Sequence, residues 1–316
     1  MKFALFLGCN IPARLSQYEI STRAILGRLG VELADIEQFN CCGYPIRNID
    51  YKTFALAAAR NLALAEKNNL NLLSLCKCCY GSLKKADHLL KEDTSLREEI
   101  NGILRKEYLE YRGDVEVKHL LSLLYHDVGI GVIQEKIEKP FSGLNIATHY
   151  GCHALRPSQI VAFDDPVAPA IFDQLVEATG AESISWPAKL DCCGAPVWGI
   201  NDDLSMDLTE KKLKDGKQSG AEYLCAACTY CQIQFDTVQK MILSSRGNNL
   251  NLPSVLYPQL LGLSMGMDGK TLGLSMNQLS IDGIEDFFFV PEPEEVEEAE
   301  PEEVEEAEAE EVEEEV

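Results

Sequence analysis

Phe39-Asn40-Cys41-Cys42-Gly43-Tyr44-Pro45 returns later in the chain as Leu190-Asp191-Cys192-Cys193-Gly194-Ala195-Pro196. Two adjacent cysteines, a glycine and a proline recur in one order, and the correspondence extends outward on both sides. Upstream, Lys2-Phe3-Ala4-Leu5-Phe6-Leu7-Gly8-Cys9 matches Asn145-Ile146-Ala147-Thr148-His149-Tyr150-Gly151-Cys152, and Leu29-Gly30-Val31-Glu32-Leu33 matches Thr179-Gly180-Ala181-Glu182-Ser183. Downstream, each copy closes with Cys-x-x-Cys, Cys76 to Cys79 and Cys228 to Cys231. Two copies in the same order predict two similar domains, 1–135 and 144–270, joined near 130–144.

Hydrophobic periodicity supplies the elements. Short apolar runs at 2–7 and 144–150 predict strands, and 72–75 and 222–224 read as buried strands. Residues 18–29 carry Ile20, Ala24 and Leu26 at helical spacing with Gly30 as the stop; 169–179 end likewise at Gly180. Asp50 is placed to cap a helix over 53–67, and 204–218 is the counterpart. A further helix over 94–111 belongs to the first half alone. Strands alternating with helices predict an α/β class: two similar cysteine-rich domains with parallel sheets and flanking helices. The cysteine groups each follow a predicted strand. The carboxyl ends of strands form the ligand crevice of open α/β sheets, so three sequence-distant groups are expected to converge there in each domain.

Charge and composition narrow the function. The net charge of −23 is concentrated at one end: residues 291–316 hold 16 Glu and no Lys or Arg. The remaining 35 acids and 28 bases leave residues 1–290 near −7. No basic stripe is present, which argues against nucleic acid as a partner. Residues 291–316 alternate Glu clusters with Pro, Val and Ala and read as a disordered acidic tail. No apolar run reaches the roughly 18 residues of a membrane helix, so no direct membrane span is expected. Phe6-Leu7-Gly8-Cys9 resembles a lipoprotein cleavage site, but the apolar stretch before it is too short, and a buried strand ending at Cys9 is the better reading. The expected compartment is the cytoplasm, where 12 cysteines point to metal ligation or redox chemistry instead of disulfides.

The spacings make that specific. In the first half 31 residues separate Cys9 from Cys41 and 33 separate Cys42 from Cys76; in the second, 39 separate Cys152 from Cys192 and 34 separate Cys193 from Cys228. Each half therefore offers five thiols. Structural zinc takes four ligands, as does an ordinary two-iron or cubane cluster. A fifth thiol and two adjacent cysteines suit an unusual cluster, because neighbouring side chains reach neighbouring irons more easily than two corners of one tetrahedron. Gly43 and Gly194 let the backbone turn tightly beside it, and the proline two residues on fixes the exit.

This pattern is similar to that of the cysteine-rich CCG-domain family. Two copies without an attached ferredoxin domain resemble in particular the B subunits of CoB–CoM heterodisulfide reductases, as do Phe6-Leu7-Gly8-Cys9-Asn10-Ile11-Pro12-Ala13-Arg14, Tyr18-Glu19-Ile20-Ser21-Thr22-Arg23 and Phe39-Asn40-Cys41-Cys42-Gly43. The resemblance covers about residues 1–265 and excludes the tail. It implies two noncubane [4Fe–4S] clusters, one held by Cys9, Cys41, Cys42, Cys76 and Cys79, the other by Cys152, Cys192, Cys193, Cys228 and Cys231. It implies that the coenzyme M–coenzyme B heterodisulfide of methanogenesis binds between them and is reduced to two thiols, with Cys42 and Cys193 acting catalytically through the clusters. It also implies electron delivery by a ferredoxin-like C subunit of heterodisulfide reductase, fed by a flavin- and iron–sulfur-containing A subunit.

Two cysteines fall outside the double pattern. Cys78 aligns with Tyr230 and Cys225 with Leu73, so both are read as non-ligands, small buried hydrophobes. Cys78 stands as the alternative to Cys76, and Cys225-x-x-Cys228 as a second Cys-x-x-Cys. His149 and His153 flank Cys152 as candidate proton donors, but strand alternation points one of them away and a structural role is preferred. Lys77 and Arg14, near predicted ligands, are candidates for holding anions, with a surface position the preferred reading. Gly266-Met267-Asp268-Gly269-Lys270-Thr271 is not a phosphate loop, because Ser264 stands where the first glycine is required. No Gly-x-Gly-x-x-Gly occurs, so the chain itself is expected to bind neither NAD nor flavin. The competing readings are an electron-transfer subunit of another CCG-domain oxidoreductase, of the lactate- or glycolate-oxidising or thiol:fumarate reductase type, and a non-catalytic scaffold with structural metal sites.

Overall fold

Strand β1 (Lys2–Phe6) is apolar on both faces, with Phe3 to Phe6 all buried, as a central parallel strand requires. It lies between β2 (Glu32–Ala34) and β3 (Asn71–Ser74), and β4 (Val117–His119) completes a parallel sheet of order β2-β1-β3-β4. The second half repeats it with β5 (Asn145–His149), β6 (Glu182–Ser183), β7 (Tyr223–Ala226) and β8 (Ser254–Leu256), in the order β6-β5-β7-β8. The computed structural model describes residues 1–247 and 250–290. The expected disordered tail, 291–316, lies outside the described residues.

The α/β expectation with parallel sheets holds, and the helices fall where periodicity put them. Ser16–Arg28 ends at Gly30, whose φ is +70°. Asp50 caps Tyr51–Lys67 by accepting from the Thr53 amide at 2.9 Å, and Asn201 caps Asp202–Gln218 by accepting from Leu204 at 3.1 Å. The expected helix over 94–111 stops early. Thr94–Leu104 runs into a 3-10 turn, Arg105–Glu107, and Tyr108 takes a left-handed conformation at φ +58°. Spacing alone did not reveal the outer strands β4 and β8 or the long helix Lys77–Glu92.

That helix joins the halves. Lys77–Glu92 packs on Tyr51–Lys67 of its own half and on the short helices Cys152–Leu155 and Ser158–Val161 of the other. Gly81 permits the crossing: a Cβ there would lie 2.7 Å from the His153 carbonyl oxygen. A second clasp comes from Tyr257–Ser264, which packs against Ser16–Arg28. Tyr80 donates to the Val161 carbonyl at 2.5 Å, so the interface is hydrogen-bonded as well as apolar. Among the described residues no helix is long and apolar enough to cross a membrane.

Candidate metal centre

In each sheet the chain leaves the first central strand toward one edge and returns to the other side of it. The gap between those central strands, β1 and β3 or β5 and β7, is the switch point where open α/β sheets bind ligands. Cys9 follows β1, Cys41 and Cys42 follow β2, and Cys76 follows β3, caps Lys77–Glu92 and places Cys79 one turn along. Cys152, the pair Cys192 and Cys193, and Cys228 with Cys231 repeat the arrangement after β5, β6 and β7. Gly43 and Gly194, at φ +79° and +93°, turn the chain immediately after each pair.

All of these thiols are free. Each set runs from half-open to buried: Cys9 and Cys192 are exposed, whereas Cys42, Cys76, Cys79, Cys193, Cys228 and Cys231 are buried. Hydrogen bonds from Cys42 and Cys9 hold the Cys41 thiol down to about 2, and donating those bonds pushes Cys9 up and Cys42 up to about 12. The second half does the same. Cys152 and Cys193 hold Cys192 down to about 2, while Cys152 rises and Cys193 is pushed up to about 12. Deeper in, Cys79 bonds to Cys42 and Cys76, and Cys231 bonds to Cys193 and Cys228. Ten soft donors thus gather in two chains of five, the donor chemistry of iron–sulfur clusters, and the residues present fit such a group.

The two chains meet. Hydrogen bonds from Cys231, Cys76 and Cys78 draw Cys228 well below the ordinary thiol range. The sulfurs of Cys76, Cys78 and Cys228 lie within 4.8 Å of one another, and Cys76 Sγ is 2.9 Å from Thr229 Oγ1. A cavity of about 380 Å³ opens between the halves, with Tyr44, Arg47, Lys77 and Cys78 on one wall and Cys152, Cys193, Trp198 and Cys231 on the other.

Several expectations change here. Cys78 is not packed away as a hydrophobe; it sits among the thiols, its Sγ 3.6 Å from His153 Nδ1. Cys225 does behave as expected, fully buried in β7 with its thiol raised by desolvation. Both histidines face sulfur: His149 Nε2 lies 3.2 Å from Cys231 Sγ, and His153 Nδ1 lies 3.3 Å from Cys152 Sγ. Strand alternation does not separate them, because β5 ends at His149 and Gly151, at φ +71°, redirects the chain. Burial keeps both imidazoles below their ordinary range. Arg14 is exposed as expected, whereas Lys77 is only 1% exposed, its ammonium 4.8 Å from the Phe172 ring centre and donating to the His149 carbonyl at 3.4 Å.

Sequence reasoning missed Lys212. It is 1% exposed and donates to the Ala188 carbonyl and, at 3.2 Å, to that of Asp191, just before the Cys192-Cys193 pair. Burial lowers its ammonium to about 8. The signal was available: Ser205, Thr209, Lys212 and Gly216 form the buried stripe of Asp202–Gln218 at i, i+4, i+7 and i+11, and a lysine in such a stripe is out of place on a plain core face. Gln234 was missed as well. It opens a π-helical segment, Gln234–Val238, and donates at 2.8 Å to both Ser205 and Thr209, locking that helix onto the Cys193 loop.

Residues 3–84 and 146–236 match the cysteine-rich domain (CCG) family. The B subunit of the ferredoxin:CoB-CoM heterodisulfide reductase of Methanosarcina mazei is 36% identical over 281 residues, 87% of this chain and 93% of that one. The 8-methylmenaquinol:fumarate reductase membrane anchor subunit of Wolinella succinogenes is 33% identical over 277 residues, 87% of this chain and 96% of that one. A hypothetical protein from Helicobacter pylori, known from its crystal structure, shares the fold at a TM-score of 0.72 and 19% identity; 89% of this chain spans 52% of that one. The paired Cys-Cys-Gly turns at two parallel-sheet switch points, and relatives matching nearly end to end, place this chain in the cysteine-rich CCG-domain family of oxidoreductase subunits, where it is similar to the B subunits of heterodisulfide reductases.

Proposed function

We propose that this chain is the disulfide-reducing subunit of a cytoplasmic, methanogenic heterodisulfide reductase complex. The observation that carries the reading is that the two five-thiol sets adjoin at the interface: Cys152, Cys192, Cys193, Cys228 and Cys231 line the cavity between the halves, and the first set lines a smaller void that shares Tyr44, Pro45, Cys78 and Tyr230 with it. Cys9, Cys41, Cys42, Cys76 and Cys79 hold one noncubane [4Fe–4S] cluster, and Cys152, Cys192, Cys193, Cys228 and Cys231 hold the other. When bound, the clusters supply one electron each to a two-electron couple: R–S–S–R′ + 2 e⁻ + 2 H⁺ gives R–SH and R′–SH. Arg47 and Lys77 put positive charge on the cavity wall, which suits the sulfonate of coenzyme M and the phosphate and carboxylate of coenzyme B. His153, between Cys152 and Cys78, holds a proton at Nδ1 or accepts one there, within reach of a departing thiolate. Tyr44 and Trp198 give the cavity aromatic walls. Electrons arrive from an iron–sulfur, ferredoxin-like C subunit, itself fed by a flavin-containing A subunit. In keeping with this, the Methanosarcina relative is named as one subunit of a reductase and thus belongs to an assembly.

Metal analysis of anaerobically purified protein tests the two sites: about eight irons per chain is expected, and zinc with four irons refutes two equivalent clusters. The purified complex should reduce the heterodisulfide with an artificial low-potential donor, and Cys42→Ala and Cys193→Ala should each abolish this; turnover retained in either refutes the mechanism. The fumarate reductase relative supports a second reading, in which the same sites relay electrons to another acceptor. A cluster-loaded complex inert toward the disulfide would favour it.

A further inference from the structure

The repeat allows the two metal sites to be compared residue by residue, and their surroundings are not equal. Asn61 and Lys212 occupy the same place on equivalent helices, Tyr51–Lys67 and Asp202–Gln218. Asn61 donates to the Cys41 carbonyl at 3.2 Å and accepts from the Asn40 amide at 2.9 Å. Lys212 instead puts an ammonium on the Ala188 and Asp191 carbonyls. A neutral amide therefore steadies the first cysteine pair and a buried cation the second.

The residues after Cys76 and Cys228, Lys77 and Thr229, are also equivalent, and each reaches across the interface. Thr229 Oγ1 meets Cys76 of the first site. Lys77 crosses to the second: its ammonium meets the His149 carbonyl, and a Cβ on Gly151 would lie 3.2 Å from its side chain. Burial lowers its ammonium, and the thiols that act against this, Cys228, Cys231, Cys225 and Cys152, all belong to the second half. The crossing gives the first site a hydroxyl and the second another ammonium. A third difference has the same sense. Phe6 and His149 end the equivalent strands β1 and β5, and only His149 brings a ring nitrogen to a thiol, Cys231.

Among the described residues Lys77 and Lys212 are the buried lysines, and no arginine is buried. Both serve one site. No Lys or Arg lines the small void at the first site. The acid that acts on Lys212, Asp191, is solvent-exposed and screened. Adding an electron to a cluster adds negative charge, and net charge and hydrogen bonds to the sulfurs set its potential.

Resting on the two-cluster reading above, we propose that Lys77 and Lys212 make the two sites electrically unequal. The cluster held by Cys152, Cys192, Cys193, Cys228 and Cys231 has the higher reduction potential and is reduced first. The step is a one-electron transfer from an outer-sphere donor, the reduced iron–sulfur partner in the complex or dithionite in the assay. No bond in the chain forms or breaks. Lys77 and Lys212 are positioning residues for charge.

The test is an anaerobic dithionite titration of the complete, cluster-loaded chain, followed by EPR with iron counted in parallel. The wild type should reduce in two waves. Lys212→Asn and Lys77→Thr, which install what the equivalent positions hold, should each weaken the easier reduction tenfold or more, about 59 mV for a one-electron couple. Lys212→Arg should leave it in place. Asn61→Lys should raise the harder wave, and it answers the question if Lys212→Asn fails to hold iron. Iron near eight per chain with both waves unmoved, or with only the harder wave moved by the lysine variants, overturns the inference alone. Iron near four, or zinc, overturns the two-cluster reading and this inference with it.

Discussion

Gly194→Ala separates two costs that a substitution beside the metal site would incur. Gly194 has φ +93°, and a Cβ there would stand 2.6 Å from the Ser205 carbonyl oxygen and 3.2 Å from Gln234 Nε2. The left-handed backbone costs any residue with a Cβ about 1–2 kcal/mol. The steric contact is about 0.8 Å short of ordinary approach to an oxygen fixed in helix Asp202–Gln218, so relief requires moving the helix or the Cys193 loop, an overpacking cost of about 1–3 kcal/mol. The sum, about 2–5 kcal/mol, is a large part of the 5–15 kcal/mol that holds a typical fold. Gly220→Ala is the control: its φ is also +93°, and nothing lies within 4 Å of its Cβ. It should show the backbone cost alone. Thermal unfolding under anaerobic conditions should place Gly194→Ala below Gly220→Ala by about 2–10 °C, with iron lost from the second site. Equal melting temperatures for the two variants would refute the steric argument.

Cys225→Ala should leave iron content and activity at wild-type levels, since its thiol lies inside β7; loss of iron would make it a ligand. Burial lowers His119 to about 3, and it is 0% exposed beside the Tyr80 and Phe163 rings. A base with a depressed folded value contributes stability above its ordinary value near 6.5 and loses it as pH falls toward 3, at about 1.4 kcal/mol per pH unit. His119→Asn keeps an acceptor for the Leu121 amide and should flatten denaturant-measured stability between pH 6.5 and 5 relative to wild type; an unchanged slope refutes it. Glu66, 4% exposed, accepts from the Arg112, Gly113 and Asp114 amides at 2.8, 2.7 and 2.9 Å. Glu66→Gln should cost about 1–3 kcal/mol and speed amide exchange at residues 112–114; protection equal to wild type there would show the loop is held by other contacts.

The architecture was legible because its signals are local and doubled. Apolar runs that alternate with 3.6-residue periodicity specify β1, β3, β5 and β7 and the helices Ser16–Arg28, Tyr51–Lys67, Ile171–Glu177 and Asp202–Gln218, and a twofold repeat lets each half check the other. The helix over 94–111 was overextended because nothing in its spacing marks Tyr108 for a left-handed turn. Helix Lys77–Glu92 was overlooked for the opposite reason: its first residues are cysteines and a lysine chosen for the site, and they interrupt the periodicity that would have announced it.

The sequence by itself determined the two five-thiol sets, because the identity of the thiols and their order along strand ends are properties of the chain. Which set each side chain serves was decided only by the tertiary structure. Lys77 lies between two cysteines of the first set yet delivers its charge to the second. Cys78 reaches the thiols of the other half, and His149 turns toward Cys231. The physical reason is the packing of Lys77–Glu92 across the interface at Gly81. It carries side chains over a distance that no spacing in the sequence records and builds one cavity from two repeats.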